Sequence, residues 1–256
     1  MQPDDFRSVA DDNANLPLEK SESSNADDVS SSTLALRKIE QTSSNEIVQM
    51  TSSDGSVFFV RTSYLQVADI DSIRNSVDAA GFGGFSLSEE ESEDVFRAAF
   101  AFSAERKALD YLGRCEQSRF GLTQKLLQKG FEKSSVSLAL DRLESKNFLS
   151  DSRYASAWLR SHCMTKFQGK SRLIGELISR GIPKSVASDA VENFFSAGEE
   201  NFDNPSGITE EEMCEKAYQK AVRQRKSGEK ILKYLVDSGF PFKMAISTIK
   251  NHKKDD

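Results

Sequence analysis

The chain has 256 residues, 38% hydrophobic and 29% charged, with a formal net charge of −6, room for one or two domains. No apolar run of about 18 residues is present, which sets aside a membrane span, and the acidic start Met1-Gln2-Pro3-Asp4-Asp5 sets aside a secretory signal. Cys115, Cys163 and Cys214 make neither a zinc pattern nor a disulfide framework, and His162 and His252 are the only histidines, so a cytoplasmic location is expected and most His-based catalysis and metal binding fall away.

Residues 1–45 are rich in Asp, Asn and Ser. They offer too little apolar surface to offset chain entropy and read as a disordered acidic tail, or as the product of a misassigned start codon. From Glu46 the pattern changes. Glu46-Ile47-Val48-Gln49-Met50 and Val57-Phe58-Phe59-Val60-Arg61 are β-prone, and Asp54-Gly55 between them is a hairpin signal. A short helix is predicted over 67–79, then a turn at Gly81, Gly83 and Gly84. Ser88-Glu89-Glu90-Glu91 has the form of a capping box. Helix is predicted from there through Leu112, with Val95, Phe96, Ala99, Phe102, Arg106, Leu109 and Tyr111 giving its period.

The net charge conceals a division. Residues 1–94 hold 6 Lys/Arg against 19 Asp/Glu, a balance of −13, whereas residues 95–256 hold 28 against 21, a balance of +7. An asymmetry of this kind accompanies polyanion partners as well as plain solvated surfaces.

A helical unit recurs in the basic part. Gly130-Phe131, Gly181-Ile182 and Gly239-Phe240 anchor three copies. Eight residues before each glycine stand Leu122, Leu173 and Ile231; four before, Leu126, Leu177 and Leu235; three before, Leu127, Ile178 and Val236. This spacing puts all three positions on one helical face, expected to be core. Each glycine suits a left-handed C′ position, with the next apolar residue folding back on the helix. A third helix aligns through Val136, Ala187 and Ala245, through Ala139, Ala190 and Thr248, and through Leu140, Val191 and Ile249. Pro183 and Pro241 mark helix starts. The expected organisation is a tail over 1–45, a β-prone segment with a leading helix over 46–103, and three-helix repeats over 104–150, 151–198 and 209–254. A linker between Ser196 and Gly207 joins the last two. The fold class is mainly α, an elongated array of three tandem repeats behind a short β-hairpin-like segment.

Basic residues cluster near the second helices: Arg114, Arg119, Lys125 and Lys129 in copy one, Arg153, Arg160, Lys166, Lys170, Arg172, Arg180 and Lys184 in copy two, Arg223, Arg225 and Lys230 in copy three. Ser118, Gly169 and Ser227 align at the turn into each second helix, where free N–H groups suit an anion. Repeated units could lay basic sites along a polymer, with little sequence specificity. Phe120, Phe131, Phe148, Tyr154, Trp158 and Phe167 read mainly as core, with base stacking as the other reading. No P-loop, G-x-G-x-x-G or G-x-S-x-G motif is present. The run Glu89–Asp94 reads as a solvated helix start, His162-Cys163 as a packed pair, and Cys115 beside Arg114 as a thiol without a catalytic His nearby. No cofactor, metal or enzymatic activity is expected.

The stretch Ala108-Leu109-Asp110-Tyr111-Leu112-Gly113-Arg114, with Ser118, Leu122 and Lys125-Leu126-Leu127-Gln128-Lys129-Gly130-Phe131, resembles the A-x-x-Y-L-x-R-x-x-x-S-x-x-x-L-x-x-K-L-x-x-K-G-F element of the RecX family. Leu143 to Ala155, and Gly169-Lys170-Ser171-Arg172-Leu173 with Glu176-Leu177 and Arg180-Gly181-Ile182, resemble two further elements of it. The resemblance covers about residues 95–252; copy three departs from it, with Ser238 where a basic residue often stands. It implies tandem three-helix repeats without catalysis, working as a monomer. Such proteins lodge in the groove of the RecA–single-stranded-DNA filament and usually inhibit ATP hydrolysis, strand exchange and coprotease action. The fourteen basic residues above are the candidate contacts to RecA or DNA. A stand-alone helix-turn-helix-like DNA-binding protein is the alternative.

Overall fold

The computed structural model describes residues 33–196, 204 and 207–252. These fall into two units, one built from residues up to 107 together with 129–139, the other from 108–128 and from 140 onward.

In the first unit, strands β1 (Ala35–Gln41), β2 (Ile47–Ser52) and β3 (Val57–Arg61), helix α1 (Ile70–Ala80), the short β4 (Phe85–Ser86) and helix α2 (Glu89–Leu112) follow in chain order. The strands form one antiparallel sheet in the order β3-β2-β1-β4. The predicted hairpin is β2–β3, with Met50 opposite Phe58 and Val48 opposite Val60, and Gly55 taking φ +89° in the turn. Alternation along β2 buries Val48, Met50 and Ser52 on one face, as a half-buried strand requires. Ile73 and Val77 of α1 and Val95, Ala98, Ala99 and Phe102 of α2 complete that core.

Two expectations are corrected here. The composition predicts a tail reaching residue 45, yet 35–41 is strand β1, at the middle of the sheet; the rest of the expected tail, through residue 32, lies outside the described residues. A register shift between Leu36 and Lys38 spaces the buried Leu36 and Ile39 three apart, so the strand shows no period of two. The acidic run reads as solvated, but Asp94 is buried. Its Oδ2 accepts the N–H groups of Gln66, Val67 and Ala68 at 2.8, 2.8 and 3.0 Å, and Oδ1 accepts from Arg97. Burial alone would raise the Asp94 pKa; these donors outweigh it and hold the carboxyl below its ordinary value. The capping box forms as the sequence predicts: Ser88 Oγ accepts from the Glu91 N–H at 3.2 Å and Glu91 accepts from the Ser88 N–H at 2.9 Å. A second buried tie joins sheet to helix. Arg61 donates twice to Glu105, at 2.8 and 2.7 Å, and the Tyr64 hydroxyl donates to the same carboxylate at 2.7 Å.

The three helical trios are the end of α2 with α3 (Arg119–Gln128) and α4 (Lys133–Ser145); α5 (Asp151–Cys163), α6 (Lys170–Ser179) and α7 (Lys184–Phe195); and α8 (Glu210–Arg223), α9 (Gly228–Asp237) and α10 (Phe242–His252). Gly130, Gly181 and Gly239 have φ of +86°, +81° and +92°. Past α6 and α9 the chain closes a paired cap: Ile182 N–H donates to the Leu177 carbonyl at 3.2 Å and Phe240 N–H to the Leu235 carbonyl at 3.3 Å, with Gly181 and Gly239 donating to the Ile178 and Val236 carbonyls. Ile182 and Phe240 are buried behind these caps. Repeats two and three share one continuous core through Leu159, Leu177, Val191, Ala217, Leu235 and Ala245.

Candidate functional site

Within the second unit, consecutive repeats meet at a joint that occurs twice. At the first, Ser118 Oγ donates to the Arg180 carbonyl at 3.2 Å, and the Arg119 N–H, at the start of α3, donates to Asp151 of α5 at 2.8 Å. At the second, the Gly169 N–H donates to the Ser238 carbonyl at 2.9 Å, and the Lys170 N–H, at the start of α6, donates to Glu210 of α8 at 2.9 Å. The glycine turn of each later repeat is thus seated on the start of the preceding middle helix. The helix N-termini read from the sequence as anion sites are, in copies one and two, satisfied by the chain's own carboxylates.

The fourteen candidate basic residues divide by what their side chains touch. Arg119 donates to Asp141 at 2.6 Å and to Glu144; burial alone would lower its pKa, but these two carboxylates raise it. Arg153 holds the turn between α4 and α5, donating to Glu116, Asn147 Oδ1 and the Phe148 carbonyl at 2.8, 2.8 and 2.9 Å. Arg180 donates to the Glu176 carbonyl at 2.7 Å and lies 4.5 Å above the Trp158 ring, whose partner in stacking is His162 at 4.1 Å. Lys125 donates to Gln117 at 2.6 Å, Lys170 sits over the Phe195 ring, and Arg160 is half-buried on α5. These side chains build the repeats. Arg114, Lys129, Lys166, Arg172, Lys184, Arg223, Arg225 and Lys230 are exposed.

A different repeated feature went unread in the sequence. Leu127, Ile178 and Val236, expected in the core, are 37%, 42% and 40% exposed, while Leu126, Leu177 and Leu235 beside them are fully buried. One residue of the predicted face therefore points outward in every copy, because the middle helix meets its neighbours over a stripe too narrow to cover three adjacent positions. Phe120 and Phe148, also expected as core, are each 50% exposed.

A groove of about 390 Å³ lies beside the second joint, lined by Lys166, Phe167, Gln168, Arg172, Lys220, Tyr234, Asp237 and Ser238. Lys226 Nζ lies 3.7 Å from the Tyr234 ring centre and Lys216 Nζ 5.9 Å from that of Phe167. Lys216 and Lys220 belong in sequence to the first helix of copy three, not to the second helices near which the basic candidates were sought; their i, i+4 spacing was the available signal.

The remaining chemistry is quiet. No group of three His, Cys, Asp or Glu suited to a metal occurs among the described residues. Burial pushes the Cys163 thiol up to about 12 and also raises Cys214, which suppresses thiolate at both. Among the described residues no helix is long and apolar enough to cross a membrane.

Two family models match the helical part: "RecX, first three-helix domain" over residues 104–143 and "RecX, second three-helix domain" over 150–191. The "Regulatory protein RecX" of Pseudomonas putida (strain W619) is 30% identical over 156 residues, covering 59% of this chain and 92% of the relative. That of Treponema pallidum (strain Nichols) is 34% identical over 112 residues, 44% of this chain and 68% of the relative. The chain belongs to the RecX family. A solved RecX, "Crystal structure of regulatory protein RecX", shares its fold with a TM-score of 0.58 at 20% identity, over 85% of this chain and 99% of that one. The RecX models cover the first two trios, and the third, α8 to α10, repeats their joint.

Proposed function

We propose that this RecX-family chain binds the RecA–single-stranded-DNA filament in its groove as a cytoplasmic monomer and lowers RecA ATPase, strand exchange and coprotease activity. The observation that carries this reading is the outward apolar position repeated in all three copies, Leu127, Ile178 and Val236, with exposed Lys129, Lys184 and Lys233 near it in sequence. A partner that is itself a repeat of identical subunits can meet equivalent patches in succession, and weak contacts then add as effective concentration rather than as separate encounters. Exposed Lys and Arg steer the chain toward an acidic or phosphate-lined groove. Co-sedimentation with RecA filaments on single-stranded DNA, together with RecA ATPase, tests it. Wild-type protein should pellet with filaments and slow ATP hydrolysis, and a combined Leu127→Gln, Ile178→Gln, Val236→Gln variant should do neither while unfolding as the wild type does. Wild-type protein that stays in the supernatant at excess, with ATPase unchanged, would end the reading.

A further inference from the structure

The joint has two halves, a glycine turn and the helix start that receives it. Within the chain these halves meet twice, and one half of each kind is left over. The first is the turn at Gly130. It shares the left-handed conformation of its counterparts, φ +86° against +81° and +92°. A Cβ built on it meets nothing within 4 Å, whereas Gly181 meets Phe120 at 2.3 Å and Gly239 meets Arg172 at 2.4 Å. Lys129 and Gly130 are exposed. The second is the start of α9. Ser118 and Gly169 are buried under the turns they receive, but Ser227, which aligns with them, is exposed, as are Gly228 and Glu229. Asp151 and Glu210 accept from the N–H groups of Arg119 and Lys170. Among the described residues nothing accepts from the Gly228 N–H at the same place, and no side chain caps α9.

We infer that a second copy of this chain docks head to tail, the Gly130 turn of one chain on the α9 start of the other. Each open half continues a joint that the chain already makes. The two halves are unlike, so the contact is heterologous and does not close at a dimer. The Lys129 carbonyl of one chain takes the place of the Arg180 and Ser238 carbonyls. Ser227 of the other, by N–H or hydroxyl, takes the place of Gly169 and Ser118. One element of the internal joints is missing. Counted back from the glycine, Phe100 and Ala101 stand where Asp151 and Glu210 stand in the later repeats, so the seat between chains has no capping carboxylate. It is therefore the weaker joint. Dilute chains stay apart, and chains held in succession on a repeating partner join end to end, which makes their binding cooperative. The contact itself does not need RecA and stands apart from the filament reading.

The test captures the contact by disulfide formation in the full chain, with no RecA present. Every variant carries Cys115→Ser, because Cys115 is exposed while Cys163 and Cys214 are buried. At the second joint the residues aligned with Lys129 and Ser227 are Ser238 and Gly169, joined by a main-chain hydrogen bond of 2.9 Å and so close enough for a disulfide. Chains with Lys129→Cys and chains with Ser227→Cys are mixed at high concentration with diamide as oxidant. Mass spectrometry separates the mixed dimer from the two homodimers. The mixed dimer should exceed its random share about tenfold, the preference of one weak specific contact. Lys184 is also exposed and follows a turn that is already seated. Mixing Lys184→Cys chains with either test chain should give only the random share. Thermal unfolding confirms that each variant is folded. A mixed dimer at its random share, homodimers in excess of it, or Lys184 mixtures that match the test mixture would each overturn the inference. None of these outcomes touches co-sedimentation with RecA filaments, so the two readings fail separately.

Discussion

Phe120 occupies the space that a side chain at Gly181 would need. A Cβ built there falls 2.3 Å from Phe120 Cβ and 2.4 Å from Cγ, and Cβ is carried by the backbone of α3, so it cannot swing aside. Gly181 also has φ +81°. Gly181→Ala should therefore cost about 2–4 kcal/mol, left-handed strain and overpacking together. Gly130→Ala, with φ +86° and nothing within 4 Å, should cost only about 1–2 kcal/mol. Urea unfolding of the two variants measures the difference; equal losses would mean that the joint tolerates the extra carbon.

The outward row can be tested for stability apart from function. Leu126→Ala, Leu177→Ala and Leu235→Ala remove fully buried side chains and should each cost about 2–5 kcal/mol. Leu127→Gln, Ile178→Gln and Val236→Gln, at positions more than a third exposed, should each stay within about 0.5–1 kcal/mol of wild type. A large loss from the glutamine set would assign those residues to the core after all.

Arg61 and Glu105 are both almost fully buried, and the Tyr64 hydroxyl shares the carboxylate. Glu105→Gln leaves the guanidinium with only the half-exposed Glu46 carboxylate, 2.8 Å away, as counter-charge and should cost about 2–4 kcal/mol. Arg61→Met with Glu105→Leu should recover much of that loss, since an apolar pair avoids the desolvation of both ions. Recovery is read from the denaturation midpoints of the single and double variants.

Asp94 and Glu176 should contribute to the acid limb of stability. In the folded chain both carboxyls are held below their ordinary values. For each, burial opposes the shift and is outweighed: at Asp94 by three backbone N–H groups and Arg97, at Glu176 by the Gln168 amide, His162 and Arg172. A depressed folded value contributes stability that is fully present above the unfolded value, about pH 4, and is lost as pH falls through the folded value. Asp94→Asn should lower stability at neutral pH and flatten the loss between about pH 5 and pH 2. An unchanged slope in urea midpoints across that range would show that the N–H cluster does not stabilise the carboxylate.

The thiols should separate by accessibility. Cys115 is exposed, whereas Cys163 and Cys214 are buried with their pKa values raised. A maleimide should label one thiol per folded chain promptly and the other two only at the rate of unfolding. Three fast thiols would contradict the burial.

Much of this was legible because it rests on local chemistry. Ser88 and Glu91 announce their capping box, and three glycines followed by apolar residues announce left-handed turns, two of which, at Gly181 and Gly239, close a paired cap, since a left-handed residue and a short-range hydrogen bond are encoded within a few positions. Strand β1 was hidden by its own bulge, which removes the alternation by which strands are read. The outward row was hidden for the opposite reason: Leu127 and Leu126 are adjacent and equally apolar, and only the neighbouring helices decide which of the two is covered. The roles of Arg119 and Arg153 were also beyond sequence, because a guanidinium reads the same whether it meets Glu116 in the fold or a partner outside it. The groove residues were each visible as Lys, Arg or Tyr, but their convergence depends on the joint.

That joint separates pitch from chemistry. Its spacing is set largely by main chain: an N–H at 169, a carbonyl at 238, a glycine against the backbone of residue 172. The rim side chains contribute little to it. The rim of one repeat can therefore change without disturbing the step from each repeat to the next. A duplicated unit with such a joint becomes a scaffold of fixed interval on which unlike surfaces evolve independently.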